Sequence, residues 1–145
     1  MGCSYRDLIV WQKATAMVTE IYRATQGFPR EEMFGLTSQL RRSAVSVASN
    51  IAEGQGRLSK GEFRQFLGQA RGSLIEMETQ LVISGNLGFL SSTAVEDLIE
   101  RSGDVSRLLH GLIESLQPAE AASRTRNLKL ETRNRSSAKL AHLYG

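Results

Sequence analysis

Between Leu36 and Leu81 the chain carries two helical periodicities joined by Gly54-Gln55-Gly56, and this pairing constrains the fold more than any other feature. Before the turn, Leu36, Leu40, Ala44, Val47 and Ile51 recur by three or four residues. After it, Phe63, Leu67, Ala70, Leu74, Met77 and Leu81 do the same without a miss. That spacing puts each set on one face of an α-helix. A short turn between two such helices makes them antiparallel neighbours. Polar residues repeat beside both seams: Gln39, Arg42, Ser46, Asn50 and Glu53 in the first helix, Arg64, Arg71 and Glu78 in the second. Buried without partners these groups would be costly, so they predict a polar network between helices or at a subunit interface.

Two further segments complete the pattern. One runs from Tyr5 to Thr25, with Leu8, Trp11, Ala14, Val18, Ile21 and Thr25 on its apolar face, and ends at Gly27-Phe28-Pro29. The second helix starts either at Pro29, which is favourable at a first helical position, or after Gly35, which would split off a short turn and leave Thr37 to begin the main body. Ser59 and Glu62 have the spacing of a capping box and open the third helix, which ends near Gly88. Ser91-Ser92-Thr93 opens a fourth, carrying Val95, Leu98, Val105, Leu109, Leu112 and Leu116 and stopping at Pro118. Gly61, Gly68, Gly72 and Gly85, in or beside the third helix, predict close backbone approach to a neighbour. Nothing alternates with the period of a half-buried strand. The expectation is an all-α, antiparallel, up-down-up-down four-helix bundle over residues 1–117. Residues 118–145, rich in Ser, Arg, Asn and Lys, read as a basic, flexible or partly helical tail.

At 145 residues the chain is sized for one domain. The lone Cys3 forms no internal disulfide, no apolar run approaches the ~18 residues of a membrane span, and Arg6 stands where an N-acylation signal needs Ser or Thr. A cytoplasmic protein is the expectation. The net charge of +3 conceals a segregation. Residues 41–71 hold six basic side chains against two acidic, residues 72–117 two against seven, and the tail six against two. A basic helix pair and tail suit phosphates, or the acidic third of the chain, inside one subunit or across a homo-oligomer interface.

At Ser49-Asn50-Ile51-Ala52-Glu53-Gly54-Gln55-Gly56-Arg57 a likeness to a known family becomes specific. It extends through Tyr5-Arg6-Asp7-Leu8-Ile9-Val10-Trp11-Gln12-Lys13, Gly35 to Arg42, Glu62-Phe63, Phe66-Leu67, Ala70 to Leu74 and Glu76 to Leu81. In these blocks the chain resembles the four-helix-bundle proteins called 23S rRNA intervening-sequence proteins, over residues 5–117. The resemblance implies a left-handed bundle, a homopentameric ring, a bacterial origin and, for some relatives, a gene inside an insertion of the large ribosomal RNA gene. More distant relatives are accessory subunits of reverse transcriptases. Members commonly carry proline where this chain has Ala48, so a proline kink has no source here.

No catalytic constellation emerges. The glycine turn lacks the GK[ST] ending of a phosphate loop and follows a helix instead of a strand. A di-iron bundle needs Glu-x-x-His on two helices, whereas Arg107 and Lys139 precede His110 and His142 by three. Neither histidine lies in the second or third helix to activate a serine, and Cys3 is terminal. Trp11, Tyr22, Phe63 and Phe66 sit at core-like spacing. The expectation is therefore a non-enzymatic homo-oligomer without cofactor or metal. Arg41, Arg42, Arg57, Lys60, Arg64 and the tail are the candidate contacts to RNA or another nucleic acid. Gln39, Asn50, Glu53, Arg71 and Glu78 are the candidate polar network, with Arg71 pairing with Glu53 or Glu78. The competing expectation is a protein-interaction scaffold or accessory subunit that uses its charged faces only for assembly.

Overall fold

A computed structural model describes residues 4–117 and 126–135. Four α-helices follow one another: α1 Ile9–Thr25, α2 Leu36–Gln55, α3 Lys60–Asn86 and α4 Ser92–Ser115. Each packs against two others, in the cyclic order α1–α2–α3–α4–α1, with α2 and α3 in most extensive contact. Paired side chains establish the antiparallel register. Ser43 meets Gln80 and Ser46 meets Ser73 across α2 and α3, while Glu78 meets Ser102 across α3 and α4. No strand occurs among the described residues. Residues 126–135 form a separate helical segment in which every residue is exposed. Pro118 and the rest of the expected tail lie outside the described residues.

The core is aliphatic. Ala14, Met17, Ile21, Leu40, Val47, Ile51, Leu67, Leu74, Met77, Leu81 and Leu109 are essentially inaccessible to water. Each large aliphatic side chain buried in this way contributes about 1.5–3 kcal/mol. The α1 stripe differs from the expected one. Tyr5–Asp7 is a single 3-10 turn capped by Ser4, and the buried line of α1 is Val10, Ala14, Met17, Ile21 and Thr25, of which Ala14, Ile21 and Thr25 were expected. Leu8, Trp11 and Val18 are only half-buried, one flank away from that line. In α4 the buried line is Leu98, Ser102, Val105 and Leu109, with Val95, Leu112 and Leu116 half-buried.

Helix ends follow local chemistry. Arg30–Glu32 forms a 3-10 turn, and the Glu32 carboxylate accepts the Leu36 N–H at 3.0 Å, so α2 opens at Leu36 instead of Thr37. Ala48 is buried inside α2, which continues through it to Gln55. The hydroxyls of Ser59 and Ser91 accept from the Glu62 and Ala94 N–H groups and cap α3 and α4. At the end of α3, Phe89 N–H donates to the Ser84 carbonyl and Gly88 N–H to that of Gly85, with Gly88 at φ +77°. This is a Schellman closure, whose left-handed residue favours glycine. The chain then delivers Phe89 against Phe28, ring centroids 5.6 Å apart, sealing that end of the bundle.

Glycine supports close approach at fewer places than its spacing suggests. A Cβ at Gly61, Gly68 or Gly72 would meet nothing within 4 Å, so those three face open space. At Gly85 a Cβ would lie 2.9 Å from the Val95 side chain, fixing the α3–α4 separation. At Gly54 it would lie 2.8 Å from the Phe63 ring and 2.9 Å from Phe66 Cβ, fixing that of α2 and α3. Gly88→Ala is expected to cost about 1–2 kcal/mol through its left-handed backbone. Gly54→Ala is expected to lower stability despite a better helix propensity, because overpacking costs about 1–3 kcal/mol. Urea midpoints at unchanged slope measure both.

Candidate nucleic-acid interface

The five candidate basic residues divide between two ends of the bundle. Arg41 and Arg42 lie in the second turn of α2; Arg57, Lys60 and Arg64 lie at and after the turn into α3. Thirteen residues separate Arg42 from Gln55, which at 1.5 Å per residue is roughly 20 Å along the axis. They therefore do not form one patch.

The first pair is itself unequal. Arg41 is half-buried: its Nε donates to Thr25 Oγ1 at 2.9 Å, and its guanidinium carbon stands 4.6 Å from the centre of the Tyr22 ring. Thr25, 3% exposed, donates in turn to the Ile21 carbonyl at 2.8 Å. Arg41 is thus a brace between α1 and α2. Arg42 is exposed and has no ion pair.

The second group is more open. Arg57 stacks over Phe66 at 4.5 Å from the ring centre, an arrangement that orients a guanidinium without neutralising it. Lys60 is exposed. Arg64 is half-buried, and its Nε has no hydrogen-bond partner. None of the three forms a salt bridge; among the described residues those bonds are Arg23–Glu20, Arg101–Asp97, Arg107–Asp104 and, when His110 is protonated, His110–Glu114. All four are short-range pairs on exposed helix faces, of little energetic weight. Leu58, at the tip of this turn, is fully exposed. The last bundle residues, Ser115 to Gln117, leave from the same end, because α4 runs antiparallel to α3.

The candidate polar network is placed differently from the expectation. Gln39, Glu53 and Arg71 are exposed, and within the chain Arg71 pairs with neither Glu53 nor Glu78. Heptad spacing gave the right line, since Glu78 and Gly85 both face α4, but another partner occupies it: Ser102 Oγ donates to Glu78 Oε1 at 2.5 Å. Asn50 folds back onto its own helix, donating to the Ser46 carbonyl at 2.8 Å and to Ser46 Oγ at 3.0 Å. Ser46 Oγ then meets Ser73 Oγ at 2.8 Å across α2 and α3. The most buried link is Ser43 Oγ to Gln80 Oε1 at 2.8 Å, with both residues at least 94% buried. Gln80 Nε2 continues to Glu76 Oε1 at 3.3 Å. Ser46 and Asn50 of the expected stripe therefore take part in the α2–α3 seam, whereas its charged members Glu53 and Arg71 do not, and Ser43, Ser73 and Ser102 from outside it complete the seams. Neither Ser43 nor Gln80 belongs to the polar stripes that the periodicity singles out.

The aromatic residues are rim features. Trp11 meets Tyr5 edge to face, centroids 5.2 Å apart, and with Val18, Val45, Ala48 and Ala52 lines a shallow groove between α1 and α2. His110 is exposed on α4. Among the described residues no three His, Cys, Asp or Glu side chains are grouped to hold a metal, and no helix is long and apolar enough to cross a membrane.

What these features define is an antiparallel four-helix bundle with polar seams between helices and unpaired cations at one end. The sequence model of the 23S rRNA-intervening sequence proteins matches residues 6–111, and the chain belongs to that family. Among solved structures, it is similar to a protein of unknown function of the S23 ribosomal protein family from Bacteroides thetaiotaomicron. The two are 22% identical, with a TM-score of 0.66, over 72% of this chain and 98% of the other. At that identity the likeness speaks to the fold. No curated protein matches the chain.

A double-mutant cycle tests the buried seam. Ser43→Ala and Gln80→Ala are expected to couple by about 1 kcal/mol in urea unfolding, whereas Ser43→Ala and Ser102→Ala, on separate seams, add independently.

Proposed function

We propose that this chain is a non-enzymatic, homo-oligomeric nucleic-acid-binding protein of the cytoplasm, with RNA as its first candidate ligand. The observation that carries this reading is the group Arg57, Lys60 and Arg64: three cations at the α2–α3 turn and the first turn of α3, none in an ion pair, at the end where α4 finishes and the basic tail follows in sequence. The exposed helical segment 126–135 adds Arg126, Lys129, Arg133 and Arg135. Cations so placed neutralise phosphates with little sequence preference. Arg42 supplements them, and Arg41 serves the fold first. The family name links its members to an intervening sequence of 23S rRNA, which makes RNA the first polymer to test.

A second reading, a scaffold or accessory subunit that contacts protein alone, draws on the apolar groups left in water. Leu58 and Phe34 are almost fully exposed, and Ile75 and Val82 are about half exposed along the outer face of α3. Gel shift with bulk RNA across a salt series separates the two. Binding is expected at low salt, and replacing Arg57, Lys60 and Arg64 by glutamine is expected to reduce the log–log salt slope by about 2. No shift at low salt leaves the scaffold reading. Mass measurement in solution tests self-association; a monomer at all concentrations overturns it, and five copies is the number expected from the family resemblance.

A further inference from the structure

A cavity of about 260 Å³ lies at the opposite end of the bundle from the basic turn, where the α1–α2 connection folds over the start of α2. Phe28, Pro29 and Met33 form an apolar wall, and Arg30, Arg41 and Thr37 line the remainder together with the end of α1. Two arginines line the cavity and no carboxylate does, although the connection itself carries Glu31 and Glu32. The Glu32 carboxylate caps the start of α2, accepting the Leu36 N–H, and leaves the Thr37 and Ser38 N–H groups uncapped.

Three observations converge on this cavity. Thr37 is 8% exposed, and its hydroxyl is buried with no hydrogen-bond partner. A buried hydroxyl without a partner is uncommon in folded proteins and destabilising, so it calls for a specific explanation. Arg41 is held through its Nε by the Thr25 hydroxyl, through Nη2 by the Tyr22 carbonyl at 3.5 Å, and over one face by the Tyr22 ring; its other Nη N–H groups are thereby pre-oriented without being consumed. Thr37 also belongs to the first turn of α2, where backbone N–H groups precede the first intrahelical bond, from Gln39 N–H to the Gly35 carbonyl.

From these, we propose that the cavity is a binding site for one small organic oxyanion. The Arg41 fork and the Thr37 hydroxyl hold the anionic group, Arg30 supplies additional positive potential, and Phe28, Pro29 and Met33 receive a compact apolar body. The site is independent of the nucleic-acid reading. Its chemistry is that of an acidic metabolite or monoester, and its volume admits nothing polymeric.

Thermal unfolding of the full chain tests it, with phenyl phosphate, benzoate and inorganic phosphate as probes against sodium chloride of equal ionic strength. Phenyl phosphate or benzoate is expected to raise the melting temperature by roughly 5 °C at ten times its Kd, and the stronger of the two identifies the anionic group. Thr37→Val, nearly isosteric, is expected to weaken that binding about tenfold or more. Arg41→Lys is expected to do the same, and if loss of the brace unfolds it, Thr37→Val still decides. No shift beyond the chloride control overturns the proposal. So does a Thr37→Val protein that responds as fully as the unaltered chain, because the anion is then bound elsewhere. Inorganic phosphate binding as tightly as phenyl phosphate removes the organic part of the assignment. No nucleic acid is present, so failure here and failure of the gel shift are separate results.

Discussion

The contact between α2 and α3 is the interaction on which the remaining structure depends. It is built at two levels. At the turn end, Gly54 admits Phe63 and Phe66 so closely that no side chain fits between them. Further along, Ser46–Ser73 and then Ser43–Gln80 replace bulk with short hydrogen bonds. Small residues on α2 thus let two helices of 20 and 27 residues lie near each other over much of their length. Polar contacts within this seam add modest net stability, about 1 kcal/mol each, but penalise any sliding of one helix that leaves a buried hydroxyl or amide unmatched. Register is what they contribute; α1 and α4 then close the ring of four around an aliphatic centre.

Much of this was legible in the residue pattern. The α3 seam from Leu67 to Leu81 has a period that no strand satisfies, and the serine caps at Ser59 and Ser91 mark helix starts that the structure reproduces. Ala48 gave no reason to break α2, and α2 is unbroken. In the α1 seam Ala14, Ile21 and Thr25 are buried as expected, but Val10 and Met17 replace Trp11 and Val18, because the two pairs are equally apolar and periodicity alone cannot choose between adjacent stripes on a helix that is apolar on two sides. Packing placed Val10 and Met17 inward beside Ala14 and Ile21, leaving the indole of Trp11 at the rim beside Tyr5.

The candidate sites were less legible, for a physical reason. Charge can be read from a sequence, but neutralisation depends on partners brought together by folding. Arg41 and Arg42 are indistinguishable neighbours in the chain, yet one is clamped to Thr25 and Tyr22 while the other is free of ion pairs. Glu78 and Arg71 share a heptad line, yet the carboxylate finds the Ser102 hydroxyl and the guanidinium remains in water. Ser46 lay in the polar stripe that the periodicity picks out, but Ser43, Ser73 and Ser102 carry no such signal, so most of the hydroxyls that join the helices were invisible until α2, α3 and α4 were side by side.

The two ends of the bundle are chemically unlike. One is closed by Phe28 against Phe89; the other presents the basic turn around a bare leucine and releases the chain beyond residue 117. If the proposed self-association closes into a ring, cyclic symmetry points every subunit the same way along its axis. When that axis follows the helices, all the basic turns crowd onto one rim and all the aromatic caps onto the other. A weak contact made by a single turn is then multiplied by the copy number for any polymer long enough to touch several turns at once. Avidity of that kind would make chain length, more than base sequence, the property of a nucleic acid that such a rim selects.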